Sequence, residues 1–439
     1  MHLLSFLTLV TLSTTLVAAA GGTIAQYWPA YSSQTPQEVP WQSMNVAFYF
    51  TTRTTPTGFE VGAGQSTDAM KQFVKLAKAN GVKPVFTVGG WTGSRYFSSL
   101  IATDAKRKKF AADLKAFNDK WGFQGVDIDY EYPGQQGEGC NQVSPNDTAN
   151  FAKLLQEIRR VFGKNNLIVA AVNMRGFLDA KGVPLKDVSA FAKSLDFLNL
   201  MSYDVTGSWS ATSGPLAPLY QCASSGSVET GVAYWVNAGM PASKILLGIP
   251  SYAISFQLKS STLRSKTVGS YKTLLYQDKS SVVPKGDIND VGVPQAMRMA
   301  AADSCNLAKR DIQGLEKRAA SDGRIYTGHW QYSNLIKQGV LSKSGTEGVG
   351  KWKRHWDDCT RSPFLFNSQT KVLISYDDTE SIKKKAAWAK KKGLGGLMVF
   401  STEGFTSDVQ TAMSKAIGLS KPSKAKAHKR AFGNAELFW

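Results

Sequence analysis

Cysteine is the first scarcity. Only four occur in 439 residues, Cys140, Cys222, Cys305 and Cys359, and no two of them form a C-x-x-C pair. A zinc site is therefore not expected, nor is any other metal or cofactor. Four widely spaced cysteines fit an oxidising compartment, where they form disulfides. Three pairings are open, and Cys140 with Cys222 and Cys305 with Cys359 is the expected one. Long apolar runs are scarce as well: after the first twenty residues none is long enough to span a bilayer, so no membrane partner is expected. Acidic residues are the third shortage, with 33 Asp and Glu against 52 Lys and Arg and a net charge of +19. Such an excess invites a nucleic-acid reading, but no nucleic-acid-binding module is legible and that class is set aside. A basic surface would instead favour a position near anionic cell-wall polymers. Internal repeats are absent.

What is present begins with an export signal. MHLLSFLTLVTLSTTLVAAAGG joins an apolar run to small residues around Val17 to Ala20, so residues 1–20 read as a signal peptide although the only n-region polar group is His2. The alternative, a buried first strand, fits less well because strand-like patterning starts only at Thr23. The expected mature chain is secreted, extracellular and monomeric. A single glycosylation sequon at Asn146 (Asn-Asp-Thr) agrees with export. Much of the basic excess lies in KKKAAWAKKKG (Lys383 to Gly393), read as a helix with its lysines on a solvated face, and in residues 419–439, read as a disordered tail. Lys429-Arg430 in that tail resembles a dibasic processing site.

Residues 21–418 alternate short β-rich runs with helical stretches. TIAQYW, MNVAFYF, KPVFTVGG, GVDIDYEY, NLIVAAV, FLNLMSY, KILLGIP and GGLMVF read as buried strands, because each is apolar over most of its length. Eight strands alternating with helices predict an α/β fold, a (β/α)8 TIM barrel. The seventh and eighth runs lie about 145 residues apart. That gap is too long for a loop, so residues 251–370 are expected to form an inserted α+β subdomain.

The segment GFQGVDIDYEYPG sets Asp127, Asp129 and Glu131 at alternate positions. Alternate side chains of a strand share a face, so the three carboxylates point inward and Val126 and Ile128 outward. Glu131 then stands uppermost, at the C-terminal mouth where barrel enzymes carry their chemistry. Crowding like charges favours protonation, which makes a general acid available near neutrality.

These residues resemble the D-G-x-D-x-D-x-E signature of family-18 glycoside hydrolases, the chitinases and their lectin relatives. TVGGWTG is similar to the family's S-x-G-G motif on strand three, NLMSYD to M-x-Y-D on strand six, and GLGGLMVF to G-G-x-M-x-W on strand eight. ISYDDTES is similar to the segment that opens the seventh helix. The resemblance covers roughly residues 24–418 and is closest to fungal members. It implies chitin and N-acetylglucosamine oligomers as ligands and a retaining reaction in which the substrate's own acetamido oxygen is the nucleophile. By position, Glu131 would protonate the leaving oxygen, Asp129 would steady the acetamido group, and Asp127 would share a proton with Asp129. Tyr203 would hydrogen-bond the attacking carbonyl. Tyr27, Gly89, Gly90, Trp91, Met201, Asp204 and Phe400 complete the implied binding surface, with Trp91 either stacking on a sugar or lying in the core.

Three positions depart from the pattern. Gln124 stands for the first Asp, Phe400 for the strand-eight Trp that floors the sugar, and Thr87 for a Ser. Gln124 has the wrong parity to face the substrate. Phe400 keeps an aromatic face but is smaller and has no indole N–H. The reading favoured by these departures is a chitinase-like protein that binds chitin fragments with impaired hydrolysis. The alternative is an active retaining chitinase; a glycosidase acting on N-linked glycan cores fits the large insertion less well.

Overall fold

The computed structural model describes residues 22–138, 140–223, 226–294 and 320–419. The leader, Cys305 and the basic tail with Lys429-Arg430 lie outside them. Eight strands run parallel: β1 (Thr23–Pro29), β2 (Val46–Thr55), β3 (Lys83–Gly89), β4 (Gly125–Asp129), β5 (Leu167–Asn173), β6 (Phe197–Met201), β7 (Ile245–Pro250) and β8 (Gly396–Phe400). Each pairs with its chain neighbour, and β8 pairs with β1 with Phe400 opposite Tyr27, which closes the (β/α)8 barrel.

Both faces of these strands are buried, which is why their sequences are apolar almost throughout. Val126 and Ile128 of β4 join an outer layer with Phe86, Val88, Ile168 and Ala170 beneath the helices. The inner layer holds Ala25, Tyr27, Phe48, Val85, Val169, Leu246 and Met398. The helices start where side chains satisfy their free amides. Ser66 accepts from the N–H groups of Asp68 and Ala69 at the head of Thr67–Ala79, and Thr103 accepts from Lys106 at the head of Asp104–Trp121. The second of these helices stops at Gly122, in the left-handed region at φ 73°.

Between β7 and β8 the chain builds a second, antiparallel five-stranded sheet. Its strand order is His329–Gln331, Tyr252–Gln257, Val372–Ser375, Ser362–Asn367, Trp352–Asp357, and a helix at Tyr332–Lys337 completes an α+β insertion. The sheet continues past Thr370 to Ser375. Arg354 fastens the insertion to the barrel, because its guanidinium reaches Asp378 at 2.7 Å while Asp378 also caps the helix Thr379–Lys391.

Two expectations are corrected here. Cys222 pairs with Cys359, not with Cys140, because the insertion folds back over the mouth and brings the turn after Trp352–Asp357 against the loop after β6. The same meeting is marked by the Leu219 N–H donating to the Thr360 carbonyl at 2.9 Å. Cys140 is also disulfide-bonded. The lysine-rich helix is not solvated throughout either: Lys385 is 0% exposed and its ammonium pairs with the buried Asp377. Helical periodicity places it beside Ile382, Ala386 and Ala389, on the face that packs against the barrel.

Breaking that pair leaves a buried, unpaired carboxylate. Lys385→Ala is expected to destabilise the fold by about 3–5 kcal/mol, whereas Lys385→Met combined with Asp377→Leu should recover most of it. Urea unfolding of the three proteins measures both effects.

Candidate active site

Above the inner layer, β4 turns its polar face into the barrel. Asp127, Asp129 and Glu131 are 0%, 4% and 8% exposed, stacked from the interior toward the mouth. Asp127 Oδ2 accepts from Tyr27 Oη and from Thr87 Oγ1, both at 2.9 Å, and Asn199 Nδ2 donates to Tyr27 Oη at 2.8 Å. The hydroxyl of Thr87 thus does the work that a Ser hydroxyl would do there. Asp127 Oδ1 and Asp129 Oδ1 are buried with no hydrogen-bond partner among the described residues. A buried carboxyl oxygen without a donor favours the protonated form of its group.

Burial raises all three carboxyls. Asp127 is pushed up to about 7, against the pull of its two hydroxyl donors. Asp129 lies well above the usual carboxylate range, by burial first and then by the charges of Glu131 and Asp127. Glu131 is pushed up to about 7 by burial and by Asp204, while a hydrogen bond from the Tyr132 hydroxyl works the other way.

The double glycine of the third strand has a steric cause. Gly90 N–H donates to the Asp129 carbonyl at 2.8 Å, and at Gly89 (φ 110°) a Cβ would lie 2.1 Å from that same oxygen. Only glycine lets β3 come this close to the strand that carries the carboxylates.

Aromatic rings form the floor. Phe400 stands edge-on to Phe50 with centroids 5.2 Å apart, 5.7 Å from Tyr27, and 6.5 Å from both Tyr203 and Tyr252. Met201 packs half-buried against the same inner layer. Asp204, at φ 55°, accepts from Tyr252 Oη at 2.7 Å, and Tyr252 stacks on His329 at 4.8 Å. Trp91 is 50% exposed, which rules out a core position. Trp209 and Tyr31 are exposed rings as well.

Tyr27, Asp127, Asp129, Glu131, Tyr203, Asp204 and Phe400 thus lie together at the barrel mouth, and Gln124 does not join them. Its side chain is exposed at the opposite end of β4, where its N–H donates to the Pro84 carbonyl at 2.7 Å and its own carbonyl accepts from Leu167 at 2.9 Å. Asn146 is exposed at the N-cap of the helix Asp147–Phe162, on the far side of the loop that follows Glu131. Tyr132 and Tyr252 went unread in the sequence. Tyr132 directly follows Glu131, which was a usable signal; Tyr252 opens the insertion, where no pattern pointed inward.

Carboxyls held above their ordinary range keep protons that the unfolded chain releases. The stability that these groups contribute should accordingly be fully present below about pH 4 and be lost as pH rises toward about 7. Asp127→Asn removes one of these groups and is expected to flatten part of that fall, read as melting temperature against pH.

The profile of Glycosyl hydrolases family 18 matches residues 23–404. A chitinase-like effector from Moniliophthora roreri is 35% identical over 413 residues, covering 92% of this chain and 95% of its own. A second chitinase-like effector, from Moniliophthora perniciosa, is 33% identical over 398 residues, with 88% and 84% covered. Among solved structures, a chitinase from Rhizomucor miehei superposes with a TM-score of 0.75 at 26% identity, over 90% of this chain and 99% of that one. With the barrel, the ordered motifs and the carboxylate column in place, the chain belongs to glycosyl hydrolase family 18.

Proposed function

We propose that this protein is an exported chitinase-like protein that binds chitin and N-acetylglucosamine oligomers in the cleft above β4, with hydrolysis slowed at the floor. The observation that carries this reading is Phe400, a phenyl ring wedged among Tyr27, Phe50, Tyr203 and Tyr252 directly across from β4. A smaller platform without an N–H donor still stacks on a sugar but does less to hold it in a distorted, reactive shape. The deficit therefore falls on turnover more than on binding. Gln124 lies on the wrong end of the barrel to contribute.

The residues for the chemical step are all present. The acetamido oxygen of the bound sugar would attack its own anomeric carbon, with Tyr203 and Asp129 aligning the acetamido group. The bond to the leaving oxygen breaks as Glu131 passes its proton to that oxygen. Water then opens the oxazolinium ring and returns a proton to the Glu131 carboxylate, so the anomeric configuration is retained. The raised position of Glu131, about 7, supports its role as the acid.

An oligomer gripped and cut slowly is withdrawn from solution. Sequestration of chitin fragments outside the cell fits both this and the chitinase-like effectors among the relatives. The intact carboxylate column favours a second reading, a fully active chitinase. Product release from chitin hexamer over time separates the two. Wild type should release product slowly, Glu131→Gln should release none while still binding, and Phe400→Trp should speed release by about tenfold, or ~1.4 kcal/mol of barrier. A fast wild type that Phe400→Trp leaves unchanged would establish the second reading.

Proton delivery sets a further expectation. Residual hydrolysis should fall as pH rises through about 7, because Glu131 is then ionised. A rate profile from pH 5 to 9 checks it.

A further inference from the structure

Glu131 lies beyond Asp129, the last residue of β4, so no ladder of the sheet holds its backbone. Two loops hold it instead. On one side Ser94, 0% exposed, accepts the Glu131 N–H on its Oγ at 3.0 Å. The same Oγ lies 2.8 Å from the Gly90 carbonyl and 2.9 Å from the Asp129 carbonyl. On the other side Asn141, 6% exposed, donates from Nδ2 to the Glu131 carbonyl at 2.7 Å. Gly137 presses on that same oxygen, because a Cβ there would stand 2.2 Å from it. The two holds are themselves joined, since the Gln142 N–H donates to the Arg95 carbonyl at 2.9 Å. Asn141 follows the disulfide-bonded Cys140, which restrains the loop beside it.

We infer that Asn141 is a positioning residue for Glu131: with Gly137 it clamps the Glu131 carbonyl from above while Ser94 clamps the N–H from below, and this keeps the carboxyl shut into the cleft away from bulk water. The inference rests on Glu131 being the proton donor of the proposed function. Asn141 has no other hydrogen-bonding duty for its side chain, as its Oδ1 is buried without a partner among the described residues. The donor spans from the loop to a carbonyl that no strand supports.

The test reads the Glu131 proton directly and needs no substrate, so its outcome is separate from whether chitin is cut. Protein labelled with carbon-13 at the glutamate carboxyls is titrated by NMR, with the Glu131 signal identified from its loss in Glu131→Gln. Wild type should titrate near 7. Asn141→Ala frees the loop, admits water and should lower that midpoint by about 1 pH unit. Glu138→Gln, an exposed change on the same loop, should leave it in place. An Asn141→Ala protein that melts earlier yet keeps the wild-type midpoint would show a purely structural role and overturn the inference. Gly137→Ala, which pushes on the same carbonyl, serves if Asn141→Ala does not fold: a lowered midpoint supports the clamp and an unchanged one refutes it.

Discussion

Three carboxyl groups share one column of a barrel interior that offers them almost no water, and the surrounding structure answers that constraint. An ionised carboxylate without hydration or a partner is costly in such a place, so protons are retained and the few available donors are spent carefully. Tyr27 and Thr87 both serve a single oxygen of Asp127. Asn199, from β6, donates to the Tyr27 hydroxyl and so orients it. The column becomes less enclosed toward the mouth, and Glu131, at its top, is the member with a neighbour outside the barrel proper in Tyr132.

The insertion extends this polar centre into a walled cleft. Its first strand follows β7 almost at once, so Tyr252 emerges beside the mouth and supplies the partner for Asp204. The far hairpin of the insertion is then tied down by Cys222–Cys359 to the loop that follows Tyr203 and Asp204. One wall of the cleft is thus assembled from two segments far apart in the chain and joined covalently. Arg354, on the strand that leads to Cys359, adds a second tie, because it shares Asp378 with the helix that leads into β8.

Much of this was legible in the sequence, for identifiable reasons. Period-two placement forced Asp127, Asp129 and Glu131 onto one face, and that geometry follows from any regular strand. The barrel followed from eight apolar runs alternating with helical stretches. What stayed hidden depended on chain segments meeting in space. The Cys222–Cys359 pairing requires knowing that the insertion folds back across the mouth, which no local pattern encodes. Lys385 was misplaced because a lysine run reads as solvated, and only the packing of the helix decides which lysine is shut in. The position of Gln124 could be ruled out of the cleft by parity, but its place at the barrel's far end had to be seen.

The closure of the barrel has a consequence for how the chain reaches its native state. Thr23 lies opposite Gly396 in the β1–β8 pair, a separation of 396 − 23 = 373 residues. Contacts this distant carry a large loop-closure entropy and form late, so topology of this kind folds slowly. The carboxylate column cannot be sealed from solvent until the last strand arrives, after the whole insertion has been made. Until then Asp127, Asp129 and Glu131 are ordinary hydrated acids. The acid that the proposed chemistry needs is therefore a property of the completed circle and not of the strand that carries it.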